Sequence, residues 1–249
     1  MPTREKVPQP MKSGLRGELV GILVGELDLT HDDARRINLG QFRKDAREFF
    51  AKYRSGSTEL SSDLLRWQGV YEKLFGKTPD LSQVVVPEKP EGFGPMRLVV
   101  VARELAEWTT GNPLQGTQDA LKKHFPTWQY ESDLDNTITG NSREPKNGSY
   151  ALWVRDVREA DEEFANKSAN DLAAMNHVSI TVLERQLMEA DYFWERGEHL
   201  DIQNITLCAG SRRRDGGVPG ADWYGGEFRV FWYDAARRRP SLRSRRVWM

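Results

Sequence analysis

The chain is expected to fold as an α+β protein. Three observations lead there: apolar residues recur at helical spacing through the first third, a helix with a full capping box follows later, and residues near the C-terminus alternate strictly. At 249 residues, with 38% hydrophobic and 29% charged residues, a packed core is within reach of one large domain or two ordinary ones.

In chain order, Leu15, Leu19, Ile22, Leu23 and Leu27 recur at helical spacing, although glycines interrupt the run. Thr30, with Asp33 three residues on, opens a second helix that carries Ala34, Ile37, Phe42, Phe49 and Tyr53. A third opens at Ser61-Ser62-Asp63, carries Leu64, Leu65, Trp67, Tyr71, Leu74 and Phe75, and closes at Gly76 with Pro79 beyond. Val84 to Val86 is a short strand or an apolar anchor. Residues 87–95, PEKPEGFGP, have the Pro and Gly density of a linker, which divides a mainly helical region, 1–86, from a second domain, 96–249.

The second domain starts with a buried strand, Arg97 to Ala102, followed by a helix over Gln118 to Phe125 with Leu121 and Phe125 inward. Asp133-Leu134-Asp135-Asn136-Thr137 matches the D-x-D-x-T nucleophile motif of haloacid dehalogenase phosphotransferases. That chemistry needs both carboxylates at the end of a buried parallel strand, and the preceding Thr127 to Ser132 does not read as one. A polar loop whose side chains bond their own backbone is expected instead. Ser149 to Val154 reads as a strand, and the acidic run from Asp156 to Glu163 as a solvated helix face. Thr181 and Glu184 form a T-x-x-E capping box for a helix bearing Leu183, Leu187, Ala190 and Trp194, stopped by Gly197. His177 has no evident partner, and His199 is expected to serve the helix end. Asn204 to Leu207 is a strand.

From Leu207 the residue economy changes. The last stretch holds ten Arg and no Lys or Gln, whereas eleven Lys are spread over the chain as far as Lys167. With Asp215, Asp222, Glu227 and Asp234 this tail is about +6 within a chain of net charge −1. Turns are expected at Asp215-Gly216-Gly217 and Val218-Pro219-Gly220. Over Phe228 to Tyr233, Phe228, Val230 and Trp232 share the core face, leaving Arg229, Phe231 and Tyr233 as a presented row. Leu242 to Met249 closes the fold as a strand. Cys208 is the only cysteine, so no intramolecular disulfide forms, and a buried thiol in a cytoplasmic protein is expected. Nothing reads as a membrane span, a cofactor motif or a metal-ligand spacing.

The segments GSYALWVRD, ANKSANDL, ITVLERQL and HLDIQNITLCAGSR, with the spaced pattern DG-x-VP-x-A-x-W, V-x-W and LRSR, carry a family resemblance from about Gly148 onward. There the chain resembles the variable proteins that are targets of diversity-generating retroelements, in particular a group from bacteria with small genomes and related archaea. The resemblance implies a C-type-lectin-like domain whose C-terminal surface, about 211–245, is a diversified ligand-binding region. Matching the family's spacing, the implied variable positions are Arg213, Arg214, Gly217, Gly220, Asp222, Tyr224, Arg229, Phe231, Tyr233, Asp234, Ala236, Arg238, Arg239 and Ser241. Randomised AAY codons cannot encode Lys, Gln, Glu, Met or Trp, and none of the fourteen is of those types. Trp223, Trp232 and Glu227 would be templated. The calcium-coordinating signatures and disulfides of sugar-binding C-type lectins are absent, so neither calcium nor carbohydrate is inferred.

The expected function is therefore non-enzymatic binding of an unknown protein or surface ligand, without cofactor or metal. Nucleic-acid binding is the alternative, because Arg212 to Arg214, Arg237 to Arg239 and Arg243 to Arg246, interleaved with Trp and Tyr, would suit phosphate contacts and base stacking. Arg212, Arg243 and Arg245 could instead be scaffold residues in ion pairs.

Overall fold

Residues 60–249, which the computed structural model describes, begin with a helix whose start is set by one serine. The Ser61 hydroxyl accepts from the Leu64 amide at 3.3 Å, and helix α1 (Ser62–Phe75) ends at Gly76, whose φ of 65° is left-handed. The two helices expected between Leu15 and Tyr53 lie outside the described residues. The expected division at 87–95 is corrected: one compact unit runs from Glu59 to Met249, and α1 shares its core. Trp67 Nε1 donates to the Leu98 carbonyl at 2.8 Å and the Tyr71 hydroxyl to that of Val100 at 3.1 Å. The Pro/Gly stretch is thus a loop inside a domain, and Val84 ahead of it is a buried apolar anchor.

Strand β1 (Met96–Val101) is buried at every position, as a continuous apolar run requires when both faces are covered. It pairs antiparallel with β4 (Tyr150–Arg155), and Trp248 from the C-terminal segment bridges to Trp153 of β4. Between them lie α2 (Glu104–Trp108), α3 (Pro113–Leu121), β2 (Thr127–Gln129), α4 (Leu134–Thr137) and β3 (Ile138–Asn141). The helix expected over Gln118 to Phe125 is the end of α3, with Leu121 and Phe125 buried. The short helix α5 (Ala169–Ala174) precedes the long α6 (Val182–Arg196), which begins with the expected Thr181–Glu184 capping box and stops at Gly197.

Helix α6 is the centre of the unit, buried on all sides from Val182 to Tyr192, so its polar residues need partners. Arg143 grips Glu184 at 2.6 and 2.8 Å, Gln186 donates to Gln118 at 2.9 Å, and Arg97 of β1 reaches Asp191 at 2.6 Å. Arg185 bonds Glu189 at 2.6 Å and Asp201 at 2.9 Å, and Asp201 also accepts from Arg245 at 2.7 Å. Burial alone would raise the Asp201 carboxyl, but the Arg245 and Arg185 guanidiniums hold it below the ordinary carboxylate range.

The tail forms most of a mixed five-stranded sheet, ordered β2-β8-β7-β5-β9, from β5 (Ile205–Leu207), β7 (Val218–Tyr224), β8 (Glu227–Tyr233) and β9 (Leu242–Arg243). Strand β6 (Ser211–Arg213) pairs with β3 in a separate ladder. Strands and helices together make an α+β fold. Two expectations about the tail are corrected. Val218-Pro219-Gly220 is strand, not turn, and the β7–β8 reversal is made by Gly225-Gly226, both at positive φ. Pro219 has no N–H to leave unpaired, and its carbonyl accepts from Cys208 N at 2.8 Å. The closing strand is only Leu242–Arg243, with single bridges from Ser244, Arg246 and Trp248 beyond it. No helix among the described residues is long and apolar enough to cross a membrane.

Replacing Asp201 by Asn keeps the side-chain shape and the tolerance for its φ of 57°, but leaves two buried guanidiniums facing one carboxylate. The expected loss is about 3–5 kcal/mol of folding free energy in urea denaturation. A second prediction concerns His177, whose Nε2 lies 3.1 Å from Ser244 Oγ and whose imidazole is pushed down to about 4 by burial and then by the Arg246 charge. The unfolded chain takes up this proton from about pH 6.5, the folded chain only near 4. Stability attributable to His177 is therefore present above pH 6.5 and lost as pH falls through that window. Between pH 7 and pH 5, the wild type should lose about 1–2 kcal/mol more than His177→Gln does.

Candidate functional site: a groove on the β7–β8 hairpin

Alternation on the hairpin divides its residues between two environments. On β8, Phe228 and Val230 are buried in the core, so Arg229, Phe231 and Tyr233 face the other way. On β7, register sets Asp222 opposite Arg229 and Gly220 opposite Phe231, on that same outward face. Asp222, Arg229, Phe231 and Tyr233 floor a groove of about 670 Å³. Seven of the fourteen implied variable positions line it: Asp222, Tyr224, Arg229, Phe231, Tyr233, Arg239 and Ser241.

The floor is ordered by its own contacts. Arg229 holds Asp222 with two bonds, 2.9 and 2.7 Å, and its guanidinium lies 4.4 Å from the Tyr224 ring centre and 5.3 Å from that of Phe231. Burial lifts the Asp222 carboxyl above the ordinary range, against the pull of Arg229. Phe231 and Tyr233 meet edge to face at 5.5 Å.

The other walls come from outside the hairpin. Trp128 and Tyr130 stand on and just after β2, which runs parallel to β8, and they line the groove beside Trp232. Ile202, Gln203 and Asn204 form the opposite side. A single carboxylate fixes that loop: Glu159 accepts from the amides of Ile202, Gln203 and Asn204 at 2.9–3.3 Å and from Asn204 Nδ2 at 3.0 Å. The acidic run containing Glu159 is therefore a solvated helix face only at Glu162 and Glu163, which are exposed on a single 3-10 turn. Asp156 pairs with Arg97 at 2.8 Å, Glu163 with Arg155 at 2.6 Å, and Asp161 is buried.

Comparison with protein-family models, with curated proteins and with solved structures finds no match.

The remaining implied variable positions fall into three groups. Asp234, Ala236 and Arg238 are exposed on the loop after β8, where Asp234 Oδ1 accepts from Ala236 N at 2.8 Å and Arg238 pairs with Asp171 at 2.6 Å. Arg214 is exposed, and Arg213 is held by Glu131 at 2.6 Å and Asp215 at 3.2 Å while lying 4.2 Å from the Trp232 ring centre. Gly217 and Gly220 are buried, as is Asp222, which corrects their expected presentation. A Cβ at Gly220 would meet Ile205 at 3.2 Å and the Phe231 and Tyr233 rings at 3.4 Å; one at Gly217 would meet Asp215, Arg213 and Trp232 at 3.1–3.4 Å. Large side chains close over both.

Trp232, expected in the core, is 37% exposed and packs against Tyr130 and Arg213 instead. Trp223 does anchor the scaffold, stacked on His199 with ring centres 3.3 Å apart and planes within 4°. His199 in turn bonds Glu189 at 2.8 Å, so it serves the buried charge cluster rather than the helix end. Trp128, Tyr130 and the 202–204 loop were not among the sequence-derived site residues. The signal for the first two was two large aromatics in a polar stretch.

The candidate chemical groups all have structural partners. Asp133 caps α4 by accepting from Asn136 N at 3.0 Å, and Asp135 accepts from Leu114 and Gln115 at the start of α3. Ser244, beside His177, is wholly buried. Burial pushes the Cys208 thiol up to about 12. Among the described residues, no group of three or more His, Cys, Asp or Glu could hold a metal ion.

If Glu159 fixes the groove wall, Glu159→Ala should speed amide hydrogen exchange at Ile202, Gln203 and Asn204 about tenfold or more, the loss of charge-assisted bonds worth about 1.5–3 kcal/mol. Exchange within α6 should not change. Unaltered exchange at the three amides would refute the role.

Proposed function

We propose that the protein is a non-enzymatic ligand-binding protein, built as a C-type-lectin-like domain, whose C-terminal surface is diversified by a retroelement. The observation that carries this reading is the convergence of positions. Seven of the fourteen residues implied by family spacing, scattered from 222 to 241 in sequence, line one groove, while their neighbours Phe228 and Val230 lie in the core. A surface of this kind can change without unpicking the fold beneath it. A cytoplasmic location accords with the lone, buried Cys208.

The nucleic-acid alternative loses three of its nine arginines, Arg213, Arg238 and Arg245, to carboxylates, and Arg229 on the groove floor is likewise paired. Arg213, Arg229, Arg238 and Arg245 are committed to Glu131, Asp222, Asp171 and Asp201. Arg212 donates to the Ala209 and Ser211 carbonyls at 2.6 and 2.8 Å, and Arg243 to that of Ala160 at 3.3 Å. Of the expected scaffold ion pairs, only that of Arg245 is present among the described residues. The enzymatic alternative would need Asp133 free to attack, whereas it caps a helix.

The test lies in the DNA. Sequencing the neighbourhood of the gene should reveal a near-copy of the segment encoding about 211–245, differing at adenines, beside a reverse transcriptase gene. Differences should fall in codons such as those of Tyr224, Arg229, Phe231 and Tyr233 and spare those of Phe228, Val230 and Trp223. Absence of a near-copy, or differences concentrated in core codons, would overturn the reading.

A further inference from the structure

Not all of the groove comes from the segment proposed to vary. We infer that Trp128 and Tyr130 form a constant aromatic wall that recognises an apolar side chain of a protein partner, and that Arg239 opposite receives a neighbouring carboxylate of that partner. This deepens the proposed function and rests on it only in treating Trp128 and Tyr130 as shared by every variant.

The wall is continuous. Trp128 and Tyr130 lie edge to face at 6.2 Å, and Tyr130 meets Trp232 in the same way at 6.2 Å. The three rings are 41%, 61% and 37% exposed, so this apolar surface is left unburied by the fold. Trp and Tyr supply large contact areas at little cost in side-chain entropy, and they dominate the energetics of protein interfaces. Both residues precede the tail by some eighty positions, and β2 carries them to the groove by pairing parallel with β8.

Charge selects the rest of the partner. Three charged side chains line the groove, and Asp222 and Arg229 neutralise each other through two hydrogen bonds. Arg239 is left, exposed, with a single 3.5 Å contact to the Tyr233 hydroxyl and no carboxylate partner among the described residues. One free guanidinium across the groove from an aromatic wall fits one carboxylate near an apolar side chain. A nucleic-acid strand would bring a row of phosphates, for which the groove offers no row of cations. The carboxylate preference belongs to this particular tail; the apolar preference belongs to the wall.

The experiment pans a random dodecapeptide library displayed on phage against the full chain, with an oligothymidylate as a second probe. Enriched peptides should carry an aromatic or aliphatic residue close to Asp or Glu. Their affinity should fall about tenfold or more in Trp128→Ala and in Arg239→Ala, and panning on Arg239→Glu should select Lys or Arg in place of the acid. Because Arg239 is exposed and bonds no carboxylate among the described residues, that charge reversal remains a valid test even if Trp128→Ala lowers the melting temperature. The inference is overturned by no enrichment, by enrichment without an acidic residue, by indifference to Trp128→Ala in a folded protein, or by preferential binding of the oligothymidylate. A template repeat beside the gene combined with failed panning would defeat this inference alone. Enriched peptides without a repeat would defeat diversification and leave the groove standing.

Discussion

The fold is tied together by one carboxylate, Asp201, held between two buried guanidiniums. Arg185 comes from the first turn of α6, Arg245 from the C-terminal segment, and Asp201 from the loop that leads into β5. Glu189 supplies the second negative charge, so the cluster is neutral, and Thr206 and the Ala160 amide satisfy the remaining Asp201 lone pairs at 2.6 and 2.8 Å. Charges removed from water at this cost tolerate few arrangements, because any slip of helix, loop or tail leaves one of them unpaired. The cluster therefore fixes relative position more than it adds stability. The loop it fixes continues directly into Ile202–Asn204, one side of the groove, and Glu159 secures that continuation from below.

The second constraint is the period of the β-strand. A core residue at 228 and 230 obliges the residues between to face outward, and the antiparallel register then decides who meets whom across the hairpin. Asp222 and Arg229 are direct partners by register, which explains why a tail of high positive charge presents a nearly neutral groove floor. The formal charge of the segment is a poor guide to the field at the surface once pairing is counted. Arg213, Arg238 and Arg245 make the same point on other faces.

Elements with strong local chemistry were legible in the sequence. Helices α1 and α6 announce themselves through Ser61 and Gly76, and through Thr181, Glu184 and Gly197, because capping is decided by residues next to one another. The alternation of Phe228 to Tyr233 was legible for the same reason, and Gly225-Gly226 is a local hairpin signal of the same kind. Strand β2 was not legible. Three residues, Thr127–Gln129, carry no period, and what makes them a strand is a parallel partner about a hundred residues away. The aromatic wall of Trp128 and Tyr130 depends on that pairing, so that wall was hidden. The linker at 87–95 misled because Pro and Gly mark a loop equally well inside a domain, and only the packing of Trp67 and Tyr71 on β1 distinguishes the two cases. The acidic run from Asp156 misled in a similar way, since spacing records charge but not the distant arginines and amides that consume it.

Direct opposition across β7 and β8 also limits how such a surface could change. Replacing Asp222 alone would free the Arg229 guanidinium, which stacks on Tyr224 and Phe231, so one substitution alters charge and aromatic packing together. Gly220 faces Phe231 in the register, and a Cβ there would press on Ile205 at 3.2 Å and touch the Phe231 and Tyr233 rings at 3.4 Å. Bulk at 220 thus requires Ile205, Phe231 and Tyr233 to give way together. Substitutions at opposed positions act as units, and effects on binding should be non-additive within a cross-strand pair and close to additive between well-separated ones. The groove then has a grain. Trp128, Tyr130 and the loop anchored by Glu159 supply a frame that does not depend on the hairpin face, whereas the floor varies by pairs rather than by single residues.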